Sequence, residues 1–247
     1  MIDIPGTYQA IFFSNNSDIT PSADTIPIFL DLFRDKGFLP NTFQEIEITP
    51  AAPRPQVRLR LSPPDEEWGI EIGLSRIIFK KSAIKPKGSN MGRVEDFVKE
   101  GIDFCGRIQR RFPRKANRLS LVTEGLLREM PEESLQQIYT RLFRPVTFYT
   151  ENPPIEWELA SAARVTMTIN GSDEKLNVNT RIKRVQGRLA ESSGFMPFDR
   201  ISLLFDINTF QDTREPRFDV EAVSDFFLKA AELRATLLKQ MEDYLNA

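Results

Sequence analysis

Residues 107 to 118, Arg-Ile-Gln-Arg-Arg-Phe-Pro-Arg-Lys-Ala-Asn-Arg, hold six basic side chains and no acidic one. Arg107, Arg110, Arg111, Arg114, Lys115 and Arg118 are of the type that contacts phosphate, because a guanidinium donates in a planar fork that matches its oxygens. An acidic protein surface would suit the same residues. A second candidate lies between residues 164 and 184. There Thr166, Thr168, Asn177 and Asn179 alternate with apolar residues, and Arg181 and Lys183 continue the polar series. Hydroxyl, amide and guanidinium groups on one side of a hairpin can bond a polypeptide or polynucleotide backbone. Both patterns also have a plainer origin. Cations at a helix C-terminus oppose the macrodipole by about 0.3–1 kcal/mol each, and threonine is common on solvated strands. We favour the plainer origin for both. Phe112, the aromatic within the basic stretch, falls on an apolar helix face and is not placed to stack on a base.

Histidine is absent. This removes the commonest general base near neutral pH and the commonest zinc ligand. One cysteine, Cys105, allows no internal disulfide, and it sits on the apolar side of its segment like a small core hydrophobe. The acids Asp65, Glu66, Glu67, Glu151, Glu156 and Glu158 cluster around prolines and read as solvated turns. Phosphate loops, dinucleotide glycine motifs and nucleophile elbows have no counterpart. These features point away from an enzyme and predict no cofactor and no metal. Net charge is −2, so no global basic field favours nucleic acid. No apolar run approaches the roughly 20 residues that span a bilayer. The N-terminus lacks a basic segment followed by an apolar one. The expectation is a cytoplasmic protein with no membrane contact.

The elements that must carry the candidates follow from periodicity. Strands are predicted at 7–13, 42–48, 56–62, 67–73 and 75–81, with Val57, Leu59 and Leu61 inward and Arg58 and Arg60 wet. A helix over 25–36 is capped by Asp24 and stopped by Gly37. Residues 85–90 read as a loop, and a long helix runs from 91 to 112. In the second half the strands are 118–124, 146–150, 155–161, 164–170, 175–184 and 200–210. Asn170-Gly171 forms a hairpin turn, and 187–197 is a loop. One helix spans 131–143. A second spans about 220–245, capped by Asp219, with Val220, Val223, Phe227, Ala230, Leu233, Leu237, Met241 and Tyr244 inward.

Each half thus reads strand, helix, meander, long helix, and the pentapeptide at 94–98 is echoed at 223–227. The expectation is an α+β protein of two tandem units, residues 1–116 and 117–247. Each is an antiparallel sheet carrying its long helix on one face; the units stand as two domains or pack as one. This order resembles the TATA-binding-protein-like and helix-grip folds. Segments 55–81, 95–112 and 203–227 resemble a sporadically distributed family of uncharacterised prokaryotic proteins of about this length. That resemblance transfers no catalytic residues. Its patchy distribution implies a component of a multiprotein accessory, antiviral defence or toxin-neutralising system. The expected function is therefore non-enzymatic interaction with a protein partner. The alternative is nucleic-acid binding through the basic 107–118 junction and the polar face of the 164–184 hairpin. Oligomeric state is not legible.

Overall fold

In the computed structural model, which describes residues 2–48, 52–84, 91–191, 194–211 and 214–246, the alternating segments pair into one sheet of nine strands. The strands are β1 Ile2–Phe13, β2 Leu39–Ile48, β3 Pro53–Ser62, β4 Trp68–Ile72 and β5 Arg76–Ser82, then β6 Arg118–Leu127, β7 Trp157–Ile169, β8 Ser172–Glu191 and β9 Gly194–Thr209. Their order across the sheet is β2-β3-β4-β5-β1-β6-β9-β8-β7. Every pairing is antiparallel. The helices are α1 Thr25–Leu32, α2 Val94–Arg111, α3 Glu132–Leu142, α4 Thr147–Glu151 and α5 Val220–Asn246, with a 3-10 turn at Arg34–Lys36 after α1.

The expectation of two tandem units is overturned by this sheet. β1 from the first half and β6 from the second pair directly, from Phe13 opposite Arg118 to Ile2 opposite Leu127. On one side β1 buries Tyr8, Ala10 and Phe12 and β6 buries Leu119, Leu121 and Thr123, so an unpaired edge between them would strand backbone donors and acceptors beside a dry core. The core crosses the join as well. Phe97 and Phe104 of α2 belong to the same cluster as Val223, Phe226 and Phe227 of α5. A second, smaller cluster joins Leu135, Ile138 and Tyr139 of α3 to Trp157, Leu203 and Phe205.

Several local expectations are also corrected. Residues 147–151 form α4 rather than a strand, and Val146, Phe148 and Tyr149 are exposed. The segments 155–161 and 164–170 merge into one strand, β7, which runs from Trp157 to Ile169. The expected loop at 187–197 is strand: β8 and β9 continue pairing from Val185 opposite Arg200 to Glu191 opposite Gly194. Arg58 is buried, because the chain after β1 folds over it and offers carbonyl oxygens. Its Nη2 donates to Asn16 O at 2.6 Å, and its Nε to Ile72 O at 3.3 Å. Val57 is exposed because β4 pairs with β3 only over Leu59–Leu61. Val220 and Tyr244 point outward from α5. The backbone of Thr25 is capped by Ser22 Oγ at 3.1 Å, not by Asp24. Asp219 does cap α5, accepting from the Ala222 amide at 3.1 Å. Asn170 and Gly171 both take positive φ, as their tight turn requires. The loop expected at 85–90 lies outside the described residues.

At the join, β1 shifts register on both sides of the pairing between Pro5 and Gly125. A side chain at 125 would bring its Cβ within 2.7 Å of Ile2 Cγ2 and 3.0 Å of Ile4 O. Gly125→Ala is therefore expected to cost about 1–3 kcal/mol by overpacking. Urea unfolding should show one cooperative transition with a lowered midpoint and an unchanged slope. Two separated transitions would contradict a single sheet spanning both halves.

Candidate functional site

Strand alternation divides the sheet into two faces. On β1, Tyr8, Ala10 and Phe12 are buried, and they oppose Thr123, Leu121 and Leu119 of β6. This is the side on which the helices pack. The other residues of β1, Thr7, Gln9, Ile11 and Phe13, oppose Glu124, Val122, Ser120 and Arg118 of β6 and Ser82, Lys80, Ile78 and Arg76 of β5. None of the described helices covers this second face. Continuing across β9 and β8, it carries Leu204, Asp206 and Asn208, then Asn177, Asn179, Arg181 and Lys183.

The polar groups of this face are wired together. Asp206 is the hub. Its carboxylate accepts from Ser120 Oγ at 2.8 Å, Asn208 Nδ2 at 3.0 Å and Asn179 Nδ2 at 3.2 Å. Asn208 Oδ1 in turn accepts from Arg118 Nη2 at 3.1 Å and Asn177 Nδ2 at 3.4 Å. Arg164 Nε donates to Asn177 Oδ1 at 3.3 Å, and its guanidinium lies over Phe210, 3.8 Å from the ring centroid. Arg118 lies over Phe13 at 5.0 Å. Interlocked amides and carboxylates of this kind hold their rotamers. Ser120 and Asn208 are buried within the network, and Asp206, Asn177, Asn179 and Arg118 are half-buried around them. Between Lys80 on one side and this network on the other runs a diagonal of half-buried apolar residues: Ile78, Ile11, Val122 and Leu204.

The basic stretch does not act as a unit. Arg107 bonds Asp35 through Nη1 at 2.6 Å, Asp103 through Nε at 2.9 Å and Leu32 O at 3.0 Å. Arg114 bonds Asp18, Asn16 and the backbone oxygens of Asn15 and Phe112. Both are structural ties between α2 or its exit and the first loop and helix. Arg110, Arg111 and Lys115 are exposed. Arg118 alone of the six begins a strand of the helix-free face, with Arg181 and Lys183 farther along it. Arg181 pairs with Glu158 at 3.1 Å. Asn177 and Asn179 lie within the network. Thr168 donates to Asp173 at 2.7 Å, and Thr166 is exposed on β7.

The remaining candidates stay apart. Cys105 is fully buried, and burial pushes its thiol up to about 12, so it is protonated and unreactive at neutral pH. Among the described residues no group of three or more His, Cys, Asp or Glu side chains converges as a metal site. The described helices include none long and apolar enough to cross a membrane. A cleft of about 600 Å³ beside α3 is lined by Pro131, Glu132, Glu133, Gln136 and Pro153, which bring no nucleophile and base together. No family model and no curated protein matches the chain.

Sequence reasoning did not single out the hub. Alternation in 200–210 sets Asp206 and Asn208 against Phe205 and Ile207. Only the β6–β9 register brings Ser120 and Arg118 to them.

The tie at Arg107 makes a pH prediction. Its hydrogen bonds hold the Asp35 carboxyl below the ordinary carboxylate range. A carboxyl depressed on folding adds stability above its unfolded value near 4, and that stability is lost as pH falls through the folded value. Wild type should therefore exceed Asp35→Asn in stability at neutral pH, with the gap closing below about pH 4. Urea melts across this range measure it, and a gap independent of pH would refute the ion pair's contribution.

Proposed function

We propose that this chain is a non-enzymatic cytoplasmic binding protein that docks a protein partner on the helix-free face of its sheet. The observation that carries the reading is the diagonal Ile78, Ile11, Val122 and Leu204, bracketed by fixed polar groups. An apolar centre with a satisfied polar rim is the common anatomy of a protein interface. A purely solvated antiparallel face would carry polar residues at these central positions instead. The resemblance of segments 55–81, 95–112 and 203–227 to a patchily distributed prokaryotic family supports a role within a multiprotein accessory, defence or toxin-neutralising system.

Nucleic-acid binding is the second reading, and one observation favours it: Arg118, Arg181 and Lys183 share the helix-free face, with Phe13 beside Arg118. Against it, Arg107 and Arg114 are saturated by Asp35, Asp103 and Asp18.

The expected outcome is that wild type, at native expression, retains a stoichiometric protein that Ile11→Glu and Val122→Glu lose without unfolding. Each substitution should weaken the purified complex by about 2 kcal/mol or more, the scale of a central interface residue. The reading fails if no stoichiometric protein is retained, or if binding ignores both substitutions. DNA or RNA binding that weakens steeply with salt and falls on reversing Arg118 and Arg181 would establish the second reading instead.

A further inference from the structure

The last strand of the sheet, β7, has one neighbour, β8. Its outer edge meets no described strand. Every residue from Ala160 to Thr166 is exposed, although successive side chains point to opposite faces. The middle of this strand is therefore open above, below and along its edge. Natural sheets guard such edges, because free amides and carbonyls accept another strand. The opposite edge, β2, is guarded: it carries Pro40, and in a self-pair about Ile46 its Glu45 and Glu47 would face their like. β7 has no proline and no such repulsion. It carries Ala160, Ser161, Ala162 and Ala163, whose small side chains let a second backbone approach.

We infer that the outer edge of β7 binds a second copy of this chain, strand to strand and antiparallel, about a two-fold axis through Ser161. A two-fold axis perpendicular to the sheet keeps each face on its own side, so opposed residues must come from the same face. With the axis at Ser161, Glu158 of each copy opposes Arg164 of the other. Ala160 opposes Ala162, Leu159 opposes Ala163, and Trp157 opposes Val165. Opposite charges meet twice and no like charges meet. With the axis at Ala160, Glu158 opposes Ala162, and Arg164 falls opposite Glu156, which lies one residue before β7 begins. With the axis at Ala162, Glu158 opposes Thr166. Within its own bounds, Trp157 to Ile169, the strand pairs its two charged residues in one register.

The charges are held in place for this. Glu158 is fixed from the inner side by Arg181 at 3.1 Å. Arg164 is fixed by Phe210 and by one bond from Nε to Asn177, and its two Nη nitrogens make no hydrogen bond among the described residues. Just outside the ladder, Ile155 is 66% exposed and would lie beside Val165 and Met167 of the second copy. The resulting sheet is continuous through two chains, with both helix-free faces on one side. The inference rests on the free edge and not on the docking face, so either can fail without the other.

Sedimentation of the full-length protein over a wide concentration range tests it. The mass should rise from 28.4 kDa toward twice that value. Glu158→Arg and Arg164→Glu should each weaken self-association about tenfold, since each sets like charges opposite one another twice. Mixing the two variants should restore association, because each mixed pair again opposes Arg to Glu at both sites. A merely structural disturbance would not be cured by mixing. Ala162→Pro removes an amide at the edge or disturbs the ladder, and should abolish the dimer. Circular dichroism and melting temperature check that each variant is folded. Mild oxidation of Ser161→Cys should give a covalent dimer, while Thr168→Cys, far from the axis, should not. Native Cys105 is buried and does not compete. A single-chain mass at every concentration overturns the inference. So does association that ignores both charge reversals, open-ended oligomers, or equal cross-linking at positions 161 and 168.

Discussion

The antiparallel ladder between β1 and β6 is the constraint on which the rest of the molecule depends. It opposes Tyr8 to Thr123, Ala10 to Leu121 and Phe12 to Leu119, all buried. Since strand alternation has a period of two, this register also decides what faces away: Gln9 with Val122, Ile11 with Ser120, Phe13 with Arg118. A slip of β1 by one residue would bury Gln9 and expose Tyr8, Ala10 and Phe12. The join is tight at one end, where only glycine fits opposite Pro5. Because the ladder sits at the centre of the sheet, it also sets the two long helices side by side. Gly101 of α2 lies over Ala10 of β1, and α5 packs on α2 and β6.

Once one face is committed to helices, the other must satisfy its polar groups by itself. The sheet does this laterally. Asp206, Asn208, Asn177, Asn179, Ser120 and Arg118 bond one another across β6, β9 and β8. A carboxylate that accepts three side-chain donors needs no distant counter-ion, and amides bonded at both ends lose little more freedom when a ligand docks. The same face is poor in groups that perform chemistry. It holds no histidine, and its acid hub is occupied as an acceptor.

The sequence made most strands and both long helices legible, because Leu59 and Leu61, or Val94, Phe97 and Val98, repeat with unmistakable periods. The union of the halves was not legible. Alternation tells which residues of a strand share a face, and nothing about which strand lies beside it. Two similar runs of elements therefore read as two sheets, when β1 and β6 fuse them into one. The misread segments fail for local reasons. Val146, Phe148 and Tyr149 have β-propensity but form an exposed helical turn after Pro145. Gly187, Ser192, Ser193 and Gly194 signal a loop, yet β8 and β9 stay paired through the flanking residues as far as Glu191 and Gly194. Arg58 looked wet by alternation, but a loop more than forty positions earlier in the chain supplies carbonyls to its guanidinium.

The basic stretch shows why charge in a sequence is a weak guide to a site. Six cations in twelve residues suggest a field, but a field depends on what lies near in space. Asp35 is 72 positions from Arg107, and Asp18 is 96 from Arg114. Both acids arrive through the packing of α1 and the first loop against α2. Each pair exchanges diffuse attraction for a fixed joint. Arg107 closes α1 onto α2, and Arg114 pins the chain as it leaves α2 for β6. Only Arg118 continues into the sheet, and there it serves the same face as Arg181 and Lys183. The most basic segment of the chain is thus mainly a fastening, and the one arginine of it that the β1–β6 register sets on the helix-free face is Arg118.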